Sequence, residues 1–356
     1  MSFSNTNSHL DRALALALDN QPLDREALDA VLSAAAFSTG TGAQPEPYAR
    51  LLEGARELRR AHSGSELSLC AIVNAKSGGC SEDCAFCAQS SRHKTLSPRH
   101  PFLDPEEIAR AAEAMLARGA TRFGIVASGL CPTGGDFERL LRAVELVAAT
   151  GMHADVSVGL LTAEQLDRLV AAGLSGVHHN LEVAESFFPQ ICTTHAYEED
   201  VFAVRQALQA GLFVCSGGIF GLGESWAQRA ELALTLRELG VKNVPVNFLI
   251  PIAGTRMEHR PVLSRAESLA IVAVLRYLLP RASLRVCGGR GLVFGAANAE
   301  TGQGQSDLFD SGVNGLMIGD YLTTPGTSIQ ADLDLADELG FSIAPAASPA
   351  EPEAGG

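Results

Sequence analysis

The chain is short of basic residues, of aromatics and of long apolar runs, and each shortage excludes something. Its 356 residues hold 27 Lys and Arg against 41 Asp and Glu, a net charge of −14. A surface of that sign repels phosphate backbones and anionic headgroups, which argues against nucleic-acid partners and membrane-surface roles. No apolar run approaches the ~18 residues that a membrane-spanning helix needs. The opening MSFSNTNSHLDRALALALDN contains a short ALALAL, but polar residues precede it, Asp19 follows it and no cleavage-like site appears. A secretory leader is therefore not expected, and a cytoplasmic location is. In a reducing compartment, eight cysteines read as metal or catalytic thiolates before they read as a disulfide framework. A second Cys-x-x-Cys pair is also missing, which removes the usual paired zinc site.

What the chain does have is a regular alternation. LDREALDAVLSAA and YARLLEGARELRRAH carry apolar residues at helical spacing around the break AQPEPY, giving an N-terminal helical extension over residues 1–65. From Leu67 onward, short β-rich runs alternate with amphipathic helical patterns. The runs are LSLCAIVNA, RFGIVAS, ADVSVG, GVHHNLE, FVCSGGIFG, NVPVNFLI, LRVCGG and GLMIG. Eight such units over 66–340 suit a closed (β/α)8 TIM-type barrel, with a doubly wound open sheet as the alternative. Residues 341–356, ending IAPAASPAEPEAGG, have the Pro/Ala/Gly-rich composition of a disordered tail.

The densest chemistry is SGGCSEDCAFCAQSSR, residues 77–92, where Cys80, Cys84 and Cys87 stand at Cys-x-x-x-Cys-x-x-Cys spacing. The loop follows the first strand directly, at the rim of a barrel where function collects. Gly78 and Gly79 permit the curl that lets three sulfurs converge. Soft thiolates select zinc or iron–sulfur, and three of them with no local fourth suit a cubane with one iron left open.

CSEDCAFC resembles the signature of the radical S-adenosylmethionine superfamily, with Phe86 in its aromatic slot. That resemblance implies a [4Fe-4S] cluster on Cys80, Cys84 and Cys87, its open iron chelated by S-adenosyl-L-methionine, which is cleaved to a 5′-deoxyadenosyl radical. The stretches NAKSGGCSEDCAFCAQSSRHKT, HHNLE, CSGGIFGLGE, VPVNFLIPIAGT and YLTTPG are together similar to the biotin synthase family. That similarity implies conversion of dethiobiotin to biotin, with sulfur drawn from an auxiliary iron–sulfur cluster. It also implies a homodimer, a reductant such as flavodoxin or ferredoxin, and iron–sulfur assembly proteins as partners. Carried over residue by residue, Gly217, Ile219, Gly221 and Glu224 match a Gly-x-Ile-x-Gly-x-x-Glu pattern near the nucleoside. Glu182 matches a contact to the nucleoside ribose, Asn180, Asn247, Thr323 and Thr324 match positions near the substrate, and His195 is a further candidate contact to S-adenosylmethionine. Asn180 and Glu182, two apart on the fourth strand, are expected on one face.

The family's usual auxiliary site uses three cysteines and an arginine, and here only part of that set is present. Cys215 matches one cysteine and Arg290 the arginine, but Gly124 and Asp155 occupy the other two positions. Cys70, Cys215 and Cys287 fall on odd-numbered strands, whose inward residues share a layer. With Cys192 they make four sulfurs, enough for a four-iron auxiliary cluster in place of a [2Fe-2S] one, with Arg290 as a supporting donor. Cys131 is assigned no role. Two readings remain beside sulfur insertion: a related radical barrel enzyme of hydrogenase-cofactor or amino-acid chemistry, and a metal-binding module without catalysis.

Overall fold

Small polar residues set the helix starts. Asp24, Thr162, Ser225 and Ser264 each accept a hydrogen bond from a backbone N–H in the first turn of the helix they precede. The computed structural model describes residues 3–40, 45–295, 305–320, 322 and 328–344. Three N-terminal helices, α1 (Phe3–Leu18), α2 (Arg25–Ala36) and α3 (Glu46–Ser63), precede the first strand. Then come β1 (Glu66–Lys76), α4 (Pro105–Leu116), β2 (Arg122–Ala127), α5 (Gly134–Ala149), β3 (His153–Ser157), α6 (Ala163–Ala171) and β4 (Leu174–His178). They are followed by α7 (Tyr197–Gln209), β5 (Phe213–Cys215), β6 (Gly218–Phe220), α8 (Trp226–Glu238), β7 (Asn243–Phe248), α9 (Arg265–Leu278) and β8 (Ser283–Val286). The chain ends through α10 (Arg290–Phe294), α11 (Ser306–Asp310), β9 (Gly315–Met317), α12 (Ile329–Glu338) and β10 (Ser342–Ile343).

The strands are parallel and run β1-β2-β3-β4-β5-β7-β8-β9, and β9 pairs back onto β1. The sheet therefore closes, and the open-sheet alternative is excluded. FVCSGGIFG, expected as one strand, is two. At Gly217 an added Cβ would stand 2.1 Å from the Pro245 carbonyl oxygen, so the backbone there presses against β7 and leaves the ladder. β6 resumes the fifth position on β7. At the far end, Ser342 and Ile343 pair with Glu66 and Leu67, so the segment expected as a tail begins with a strand; residues 345–356 lie outside the described residues.

Helices α1–α3 pack on α9, which the barrel covers from its other side. Every residue of α9 from Ser268 to Leu278 is consequently buried. Arg276 lies inside this layer, and its guanidinium donates to the carbonyls of Pro280, Ala282 and Gly312. No helix among the described residues is long and apolar enough to cross a membrane.

Candidate active site

Beyond Lys76 the chain turns over the C-terminal mouth of the barrel. Gly78 and Gly79 take φ of 79° and 71°, a left-handed path that side chains disfavour. The loop then closes on itself: Cys80 N–H donates to Gln89 O at 3.1 Å, Ser91 N–H to Cys80 O at 2.8 Å, and Cys87 N–H to Cys84 O at 3.0 Å. The curl thus has its own hydrogen bonds. Cys80, Cys84, Cys87 and Phe86 face a cavity of about 390 Å³ that fills the upper barrel.

Seven of the eight cysteines line this one cavity, Cys131 being the exception. They fall into two groups. Cys192 belongs with the triplet, not with the deeper thiols as expected from the sequence, because its loop is fastened over the cysteine loop. Ala85 N–H donates to Ile191 O at 2.9 Å, and Asp83 accepts from Thr193 N–H at 2.8 Å. Cys192 Sγ lies 3.9 Å from Cys84 Sγ and 3.3 Å from His195 Nδ1. The contact with Cys84 leads in drawing the Cys192 thiol down to about 6. His195 bridges Asp200 Oδ2 at 3.2 Å and Glu82 Oε2 at 2.8 Å, and Asp200 Oδ1 reaches His179 Nε2 at 2.8 Å. Asp200, acting against burial and helped by Glu82, raises His195 to about 10. Sequence reasoning missed Glu82, Asp200 and His179; the adjacent pair His178 and His179 before Asn180 was the available signal.

Deeper in the barrel lie Cys70, Cys215 and Cys287, with Arg285 among them. Burial raises all three thiols, Cys215 to about 12, and the charges of Cys70 and Cys215 push Cys287 further up. The three are therefore neutral without metal, and a cluster seated there displaces their protons. Arg285 reaches Cys70 and donates to Ser68 Oγ at 2.9 Å. Arg290, the arginine expected from the sequence, is elsewhere. Its guanidinium grips both carboxylate oxygens of Asp332, although its charge still bears on the Cys287 thiol. The signal for Arg285 was its position two before Cys287, on the same inward face.

The wall at Gly124 and Asp155 is occupied. A Cβ at Gly124 would meet Ile72 Cγ2 at 3.1 Å and His178 Cε1 at 3.5 Å. Asp155, fully buried, takes a two-pronged ion pair from Arg122 and a contact from His178 Nε2 at 2.9 Å. Burial raises its carboxyl, but the Arg122 charge and His178 outweigh that and leave it below the usual carboxylate range.

Of the glycine-rich set, Ile219 lines the cavity. Glu224 instead ties its own turn, accepting from Gly221 N–H at 2.9 Å and Gly223 N–H at 3.0 Å while Arg229 holds it. Asn180 and Glu182 lie past the end of β4, and Glu182 has φ of 63°. Both still line the cavity, and Asn180 Nδ2 approaches Glu182 Oε2 at 3.4 Å. Burial, with the Asp200 charge, raises the Glu182 carboxyl to about 8. Asn180 Oδ1 accepts from Gly217 N–H at 3.2 Å, and Asn247 Oδ1 from Gly288 N–H at 2.9 Å. Thr323 and Thr324 lie outside the described residues.

A parallel barrel with three thiols on the loop after its first strand defines a class, and comparison agrees. Residues 75–249 match the radical SAM superfamily and residues 245–342 the biotin and thiamin synthesis associated domain. The solved methylornithine synthase superposes with a TM-score of 0.77 over 93% of this chain and 97% of its own, at 19% identity. The FeFe-hydrogenase maturase of Carboxydothermus hydrogenoformans gives 0.73 over 95% and 80%, at 18% identity. At those identities the likeness concerns the fold. The sequence goes further: a biotin synthase of Nitratidesulfovibrio vulgaris is 46% identical over 305 residues, 83% of this chain and 82% of the relative. That of Syntrophotalea carbinolica is 46% identical over 82% and 88%. The chain belongs to the biotin synthase family.

Proposed function

We propose that this enzyme inserts sulfur into dethiobiotin to make biotin, using two metal sites within one cavity. The observation that carries this reading is the division of seven cavity cysteines into a rim group and a deeper group around Arg285. Cys80, Cys84 and Cys87 would hold the [4Fe-4S] cluster that binds S-adenosylmethionine. Cys70, Cys215 and Cys287 hold the auxiliary cluster, with the guanidinium of Arg285 as the fourth donor or as partner to its sulfur. When loaded, the rim site supplies a carbon radical that removes hydrogen from saturated carbon, and the deeper site supplies sulfur.

The residues of the chain do the rest. Ile72, Phe86, Val126, Leu130, Ile219 and Ile250 give the cavity apolar walls, which keep water from a reactive carbon centre. Asn180, its carbonyl oxygen committed to Gly217 and one amide hydrogen turned to Glu182, keeps the other for an oxygen of the ureido ring. Burial and the Asp200 charge favour the neutral form of Glu182, which presents a hydroxyl to the nucleoside without placing a charge beside the thiolates. A cytoplasmic homodimer supplied by flavodoxin or ferredoxin, and rebuilt by iron–sulfur assembly proteins, is supported by the family resemblance alone.

Mössbauer spectroscopy and iron analysis of anaerobically reconstituted protein test the two-site reading. About six irons per chain identify a two-iron auxiliary site and about eight a four-iron one, whereas about four remove the second site altogether.

A further inference from the structure

Between Asp83 and Asp104 the chain has no acidic residue, yet it has Arg92, Lys94 and Arg99, within a protein of net charge −14. All three cations are exposed, and Leu96 stands among them, at 101% of full exposure. Among the described residues, neither Lys94 nor Arg99 is engaged in an ion pair.

This segment is fastened to the cluster loop. His93 Nδ1 lies 2.9 Å from Cys87 O, Ser91 Oγ donates to Cys80 O at 2.8 Å, and Thr95 Oγ1 donates to Ala88 O at 2.6 Å. Direct hydrogen bonds thus join the basic surface to the backbone carbonyls of two of the cluster cysteines. The segment around Gly254 packs against the Lys94 carbonyl and adds exposed Arg260 to the same rim, beside Arg256, whose guanidinium is held by the Asp83 and Ile191 carbonyls and lies 4.0 Å from Asp83 Oδ2. Glu258 is the acid in that segment, and its Oε2 is committed to Gly254 N–H at 2.7 Å.

We propose that this rim is the docking face for a small acidic one-electron carrier protein, and that residues 88–100 form the electron's entry to the Cys80–Cys84–Cys87 site. The proposal rests on the two-site reading, because a reducible cluster there gives the electron its destination. One electron leaves the reduced flavin or iron–sulfur group of the carrier and enters the cluster; no bond forms or breaks in that step. A basic ring around one exposed leucine has the make-up of a transient interface, in which charge steers the encounter and a small apolar centre holds it. An acidic carrier fits this patch while being repelled by the rest of the surface, which restricts productive encounters to the cluster side.

The test compares wild type with Lys94→Glu and Leu96→Asp, both reconstituted anaerobically. 5′-Deoxyadenosine formation is measured with photoreduced flavodoxin and, separately, with dithionite. With dithionite all three proteins are expected to react alike. With flavodoxin at low ionic strength, Lys94→Glu is expected to lose about ten-fold in rate, through a higher KM for the carrier, and added salt is expected to narrow the gap. Leu96→Asp is expected to lose rate as well, with salt recovering only the part due to its new charge and leaving the part due to the lost apolar contact. Flavodoxin-driven rates equal to wild type in both variants would overturn the docking face. A wild type silent with dithionite would instead sink the cluster reading beneath it.

Discussion

A thiol's neighbours along the chain advertise the rim site, whereas the deeper site is advertised only by the face a residue presents. Cys80, Cys84 and Cys87 are legible because their spacing and two glycines are local. Arg285 and Arg290 look equivalent in LRVCGGR, and only the inward period of β8 separates them: Arg285 shares its face with Cys287, and Arg290 falls past the strand, in α10. Substitutions at the two arginines should therefore fail differently. Arg290→Ala leaves Asp332 buried without its partner and should cost about 3–5 kcal/mol, seen as a lower melting midpoint. Arg285→Ala is expected to preserve S-adenosylmethionine cleavage and to lower auxiliary iron and biotin yield, with Arg285→Lys restoring little of either. Cysteine variants separate the same way. Cys84→Ala should abolish cleavage, whereas Cys287→Ala should spare 5′-deoxyadenosine and stop product; full biotin yield from Cys287→Ala would remove that residue from the auxiliary site.

Elements were legible wherever their pattern is local, and their joints were not. The eight strand runs appear in the sequence and in the barrel, but the break in the fifth comes from the Pro245 carbonyl, which is distant in sequence. The N-terminal helices were likewise visible as amphipathic, while their partner was not: α9 is mostly apolar from Leu269 to Leu278, Arg276 apart, a pattern compatible with several kinds of burial. The α3–α9 joint turns on Gly54, where an added Cβ would stand 1.9 Å from Tyr277 Oη. An alanine there would gain about 1 kcal/mol of helix propensity. Tyr277 is only 1% exposed, however, and its ring has little room to yield, so overpacking at about 1–3 kcal/mol should win. Gly54→Ala is thus expected to destabilise the protein in denaturant melts. Tyr277→Phe in that background, by removing the nearest atom, should recover part of the loss, a coupling absent if the two positions were independent.

For the barrel as a whole, the positions where the chain departs from its family's usual cluster set have become structural. Arg122 on β2, Asp155 on β3 and His178 on β4 tie three adjacent strands together inside the wall. The sequence showed that Gly124 and Asp155 cannot act as cysteines, but the Arg122 and His178 partners emerge only once the strands are set side by side. This network makes a pH prediction for the metal-free protein. Because the folded state holds the Asp155 carboxyl below its ordinary value of 3.8, the unfolded chain takes up the proton first as pH falls. The contribution is complete above the ordinary carboxylate range and is lost as pH drops through it towards the lower folded value. Asp155→Asn removes the charge while keeping the shape, and leaves the partly buried Arg122 without its counter-ion. It should lower stability at pH 7 by about 3 kcal/mol and flatten the acid limb of the stability profile, so that the two proteins converge as the pH falls. An acid limb as steep in Asp155→Asn as in wild type would show that this carboxylate does not brace the wall, and would return Asp155 to the group of residues free to meet the auxiliary cluster.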